Sequence, residues 1–169
     1  LHKEYRRQRQ MCIRDRHQPD AVVAVGEAGG RTAVTPERWA RNLGHGRIPD
    51  NDGGVRDAAP LAEGPERLDS RIDPSALAHA VQDAGIPAEV SDDAGAFLCN
   101  AVFWTALHRT DLPAAFIHVP AVRSRGSAGI GAETDPDHTP ADSALSFDDL
   151  AHALAAAVHA VALLSLIHI

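Results

Sequence analysis

The sequence predicts an α/β sandwich. Three observations carry this: short apolar runs at residues 21–25 and 113–120, helical periodicity at 74–85, 97–108 and 146–161, and turn formers at the junctions between them. With 169 residues and 44% hydrophobic content, the chain has the size of one domain with a single substantial core.

The elements follow in order. Leu1 to Arg16 is basic and lacks helical or strand periodicity. Gln10-Met11-Cys12-Ile13-Arg14-Asp15-Arg16 and the terminal Leu164-Ser165-Leu166-Ile167-His168-Ile169 resemble translated sequencing-adapter ends. Residues 1–19 and 164–169 are therefore expected to be foreign tails around a domain at 20–163, the alternative being a native basic arm and a native helix end. From residue 20, Ala21-Val22-Val23-Ala24-Val25 predicts a buried strand running into the tight loop Gly26-Glu27-Ala28-Gly29-Gly30. Residues 33–43 are expected to be extended, on the β-branched Val34 and Thr35. Residues 47–70, rich in Asp, Pro and Gly, predict a surface loop.

Asp73 before Pro74 places a cap residue ahead of a proline at the first helical position, and Leu77, Ala80, Val81 and Ala84 then recur at helical spacing up to Gly85. Ala88-Glu89-Val90 predicts a short strand, residues 91–95 a turn, and residues 97–108 a helix with Cys99 near its start. Residues 113–120 form another short apolar strand closed by proline, and a Gly, Ser and Pro segment follows to residue 144. Ser146 with Asp149 approximates a capping box for a last helix, whose expected apolar face is Phe147, Leu150, Leu154, Val158 and Val161.

Charge and cysteine usage exclude several classes. The net charge is −7, yet residues 1–19 hold six of the 16 basic and two of the 23 acidic residues, leaving ten basic against 21 acidic, or −11, for the rest. An acidic body argues against nucleic acid or an anionic membrane surface as partner. Cys12 and Cys99 lack the spacing of a disulfide framework or a zinc site, so a reducing cytoplasm is expected. No run of 18 apolar residues escapes interruption by His or a polar group, and the basic start lacks the apolar segment of a secretion signal.

Three residues stand out chemically. Cys99 near a helix start meets unpaired amides and a helix dipole that favour a thiolate, although on the residues alone it reads more readily as a small buried hydrophobe among Phe97, Leu98, Val102 and Phe103. His118 at the end of an apolar strand is placed to take a thiol proton, or is a core histidine satisfied by a carbonyl. Glu37 is readable either as the carboxylate that orients an imidazole or as a partner of Arg38 or Arg41. The glycines at 26–30 lack the spacing of a phosphate loop. His79, His108, His152 and His159 fall on helices and are expected to be partly exposed, and no histidine group forms a metal cluster.

Four blocks, taken in order, resemble the pyroglutamyl peptidase family, also called pyrrolidone-carboxylate peptidase. They are Val25-Gly26-Glu27-Ala28-Gly29-Gly30-Arg31 with Glu37-Arg38; Arg47-Ile48-Pro49-Asp50-Asn51; Ala84-Gly85-Ile86-Pro87-Ala88 through Ser91 and Ala94-Gly95 to Leu98-Cys99-Asn100; and Phe116-Ile117-His118-Val119-Pro120. The resemblance implies a three-layer α/β/α sandwich with a mixed central sheet, here missing its N-terminal part. It implies Cys99 as nucleophile, His118 as base, Glu37 as the acidic member and Arg47 as an arginine close to the site. The implied reaction is removal of N-terminal pyroglutamate from peptides, with no metal or organic cofactor.

Glu27 stands where the family usually has a neutral residue, and Gly44-His45-Gly46 replaces the usual step before Arg47. Two other readings therefore stay open: an inactive fragment or pseudoenzyme of the same fold, and a related cysteine amidase with another acyl substrate. The family is often oligomeric, and a truncated sheet with an open edge favours a homo-oligomer.

Overall fold

The computed structural model describes residues 17–46, 54–55, 57–122 and 143–167, with side chains to residue 164. Arg47, the rest of its block and nearly all of the N-terminal segment lie outside the described residues.

Strand β5 (Ala114–Pro120) organises the molecule, because every one of its residues is buried. It lies between β1 (Val22–Ala28), which pairs with it in parallel, and β2 (Thr35–Pro36), which pairs with it antiparallel. The sheet is therefore mixed, and β5 reads as the continuous apolar run expected of a strand covered on both faces. Its side chains alternate. Ala115, Ile117 and Val119 enter one cluster with Leu77 and Val81 of helix α1 (Pro74–Asp83) and Leu150, Ala153, Ala157 and Val161 of helix α3 (Phe147–Ile167). Ala114 and Phe116 enter the other, with Phe103, Trp104 and Leu107 of helix α2 (Leu98–Arg109). Helices on both faces of a mixed sheet make the three-layer α/β/α arrangement that the sequence predicts.

Local chemistry explains the helix ends. Asp73 accepts from the Ser75 amide, with Pro74 opening α1. Ser146 and Asp149 form the expected box before α3: Ser146 N donates to Asp149 Oδ2 at 2.7 Å, and Asp149 N donates to Ser146 Oγ at 3.2 Å. The Ser146 amide, and the Ser146 hydroxyl donating to the same oxygen at 2.7 Å, hold the Asp149 carboxyl below its usual range. At the far end of α2, Arg71 donates to the carbonyls of Leu107, Thr110 and Leu112, satisfying acceptors that the last turn leaves free.

Three expectations need correcting. Residues 67–69, expected as loop, form β4 (Arg67–Asp69) and pair antiparallel with β3 (Trp39–Arg41), with Arg67 stacked 3.7 Å over the Trp39 ring. The segment at 88–91 makes single parallel bridges, Val34 to Ala88 and Glu37 to Ser91, rather than a strand of its own. The apolar face of α3 is rotated from the expected one: Ala153 and Ala157 are fully buried, while Phe147 is 67% and Val158 52% exposed. Ala153 and Ala157 share the buried face with Leu150 and Val161 of the expected set, while Phe147 and Val158 fall outside it. By length and composition, residues Phe147–Leu164 of α3 would also suffice to cross a membrane.

The packing of α3 is testable. Ala157→Leu adds volume at a position with no exposure and should destabilise the fold by about 1–3 kcal/mol, read from the denaturation midpoint, whereas Val158→Leu should change it little.

Candidate active site

The geometry of β5 brings together the residues singled out in the sequence. Phe116 and His118 project to the same face, their ring centroids 4.8 Å apart, and that face is covered by α2. Glu37 follows β2, and its amide donates to the Phe116 carbonyl at 2.9 Å while Thr35 pairs with His118. Glu37 is thus diagonal to His118 across the strand pair, a separation that a long side chain spans. His118 Nδ1 lies 2.7 Å from Glu37 Oε1, with the histidine 5% exposed and the carboxylate not at all. A protonated Nδ1 donating to Glu37 leaves Nε2 as the nitrogen free to accept a proton.

Cys99 reaches this face from the first turn of α2. On β1, Gly26 pairs with His118, and the absence of a side chain there lets the cysteine in. A Cβ on Gly26 would stand 2.8 Å from Cys99 Sγ and 2.8 Å from Phe116 Cζ. Such a close approach requires glycine. Cys99 is a free thiol, half-buried against the cluster that holds Phe103 and Phe116. Burial pushes its thiol pKa up and the Glu37 charge adds to this, while Arg31 and the backbone amide of Cys99 pull it down; the balance is a raised value. The expected preference for a resting thiolate is therefore outweighed by desolvation.

Sequence reasoning missed two further residues here. Asn100, fully buried, accepts from the Arg41 amide at 2.8 Å and donates to the carbonyls of Arg41 at 2.9 Å and Leu43 at 2.8 Å. It pins the helix start carrying Cys99 to β3. Arg31, behind the Gly29-Gly30 turn, forms an ion pair with Glu37 at 2.7 Å and bonds Thr35 Oγ1. Arg38 and Arg41, the neighbours in sequence, turn instead to Asp92 at 2.6 Å and Asp93 at 3.7 Å. In the sequence Asn100 and Arg31 stood out only as members of the family-like blocks, beside Cys99 and behind a glycine turn, with no role attached. No group of three His, Cys, Asp or Glu fit to hold a metal occurs among the described residues. The expected exposure of His79, His108, His152 and His159 is observed.

Known proteins share this arrangement of sequence and fold. The family model described as pyroglutamyl peptidase matches residues 5–163. A pyrrolidone-carboxylate peptidase of Vibrio vulnificus is 43% identical over 116 residues, covering 66% of this chain and 55% of the relative. One from Streptococcus pyogenes serotype M5 is 37% identical over 150 residues, covering 85% and 65%. The crystal structure of pyroglutamyl peptidase I from Bacillus amyloliquefaciens superposes with a TM-score of 0.73 at 32% identity, over 89% of this chain and 70% of that one. The chain thus spans between about half and two thirds of the length of these curated relatives.

Two substitutions probe the geometry. Asn100→Ala removes a fully buried side chain that bonds three backbone groups and should lower stability by about 3 kcal/mol in chemical denaturation. Gly26→Ala should displace the Cys99 sulfur, because Phe116 is buried and cannot yield, and should slow alkylation of Cys99 by iodoacetamide at least about threefold with a stability loss of about 1–3 kcal/mol.

Proposed function

Because the chain belongs to the pyroglutamyl peptidase family, we propose that it is a cysteine peptidase acting on peptides with an N-terminal pyroglutamyl residue, with Cys99 as nucleophile, His118 as base and Glu37 as the orienting carboxylate. The observation that carries the reading is the buried 2.7 Å contact between His118 Nδ1 and Glu37 on the face of the sheet that Cys99 enters.

The chemistry follows from the raised thiol pKa. A thiol that rests protonated needs a base at the moment of attack, and His118 Nε2 takes that proton as Sγ bonds to the carbonyl joining pyroglutamate to the next residue. Glu37 stabilises the imidazolium. The developing oxyanion falls near the first amides of α2, which lack a side-chain cap. Collapse returns the proton from His118 to the departing amine and leaves a thioester, which water, activated by the same imidazole, hydrolyses to free the enzyme and pyroglutamate. Thiol, imidazole and carboxylate supply nucleophile, base and orienter, so no step calls for a metal or organic cofactor. Arg47 is assigned, on the family resemblance, to the acyl or oxyanion side of the site.

The domain is taken as residues 20–163, and a reduced Cys99 favours a cytoplasmic setting. Among the described residues β1 pairs on one side only, which favours self-association along that edge. The chain's short span of its relatives favours a second reading, an inactive fragment of the same fold.

Hydrolysis of a pyroglutamyl-coupled fluorogenic amide decides between them. We expect turnover that is lost in Cys99→Ala and falls by about 10³-fold or more in His118→Ala. A folded chain with no turnover, even when extended with the N-terminal portion of a longer relative, would establish the inactive reading. Turnover of other acyl amides but not of this one would identify a related amidase.

A further inference from the structure

We infer that Arg31 is a positioning residue for this site: its guanidinium fixes the Glu37 carboxylate against His118 and ties both to the loop that delivers Cys99. The inference rests on the peptidase reading above and deepens it.

Three contacts carry it. Arg31 Nη1 lies 2.7 Å from Glu37 Oε1, the same oxygen that His118 Nδ1 meets at 2.7 Å. The same nitrogen bonds Thr35 Oγ1, on the strand directly opposite His118. Arg31 Nη2 donates to the Asp93 carbonyl at 2.7 Å, in the turn that leads into α2. One planar fork therefore spans β2 and the approach to the nucleophile, a geometry that a single ammonium cannot reproduce.

The carboxylate needs this hold. Glu37 Oε2 is buried with no hydrogen-bond partner, so both described contacts converge on Oε1. Without Arg31 one contact alone would resist rotation of the carboxylate away from His118. The turn closed by Arg31 N donating to the Ala28 carbonyl at 3.2 Å brings the arginine back over β2. The other charged groups nearby are committed elsewhere: Arg38 to Asp92 and Arg41 to Asp93, while Glu27 lies beside Gly26 on β1. The positive charge of Arg31 also opposes the effect of Glu37 on the Cys99 thiol.

The test uses two readouts that need no turnover, so failure of the peptidase reading, seen in the hydrolysis assay, stays separate. One is the Nδ1 proton of His118 in the NMR spectrum of protein labelled with 15N-histidine. The other is the pH midpoint for alkylation of Cys99 by iodoacetamide. In Arg31→Met we expect the Nδ1 proton signal to be lost or moved upfield and the midpoint to rise by about one pH unit, a tenfold loss of thiolate at fixed pH. In Arg31→Lys the charge remains without the fork, so the midpoint should stay near that of the parent while the Nδ1 signal still changes. A folded Arg31→Met protein with both readouts unchanged overturns the inference. If Arg31→Met does not fold, Arg31→Lys decides: an unchanged Nδ1 signal overturns the positioning role.

Discussion

The buried carboxylate of Glu37 is the constraint around which the rest of the site is arranged. A carboxylate with no exposure is strongly unfavourable unless cations and donors replace its water, and here the replacements come from two separate elements, His118 on β5 and Arg31 behind β1. A hydrophobic side chain at that position would pack without such demands, so the carboxylate is poor evidence of a device for stability alone. It specifies geometry. The short β2 must lie antiparallel on β5 for Glu37 to sit diagonal to His118, and the Gly29-Gly30 turn must bend the chain back for Arg31 to arrive.

The opposite alternation of side chains on β5 separates structure from chemistry within one strand. Ala115, Ile117 and Val119 hold α1 and α3, whereas Phe116 and His118 face α2 and the cysteine. Gly26 connects the two strands to the thiol, since only a bare Cα there leaves room for Sγ. Placing the thiol in such an apolar setting favours its neutral form, with burial the largest cause and the Glu37 charge the next.

Much of the fold was legible because its signals are local. The two buried strands announced themselves as apolar runs, and the start of α1 by Asp73-Pro74. β4 was not, because three residues with exposed Arg67 and Asp69 inside a turn-rich stretch carry no period. The face of α3 was misjudged for a different reason: hydrophobicity ranks Phe147 and Val158 above Ala153 and Ala157, but close helix packing selects by size. The site was harder. Glu37 and His118 lie 81 residues apart, and only the family resemblance joined them before the structure placed their side chains in contact. Sequence proximity pointed to Arg38 and Arg41 as partners of Glu37, yet both side chains leave the sheet for exposed aspartates.

The length of the chain bears on how its parts divide the work. It spans 55% of the Vibrio relative and 65% of the Streptococcus one, yet thiol, imidazole, carboxylate and the arginine behind them all fall between residues 26 and 118 of the described structure. Their mutual geometry is held by β1, β2, β5 and α2 and by the side chains of Asn100 and Arg31, all within the chain itself. On the proposed chemistry, bond cleavage would depend on those groups, whereas the choice of acyl group would depend on the walls of a pocket, and the two can reside in different stretches of one polypeptide. On the proposed chemistry, loss of pocket walls would weaken binding of the ground state and transition state together, whereas loss of the buried carboxylate or its arginine would disturb the transition state first.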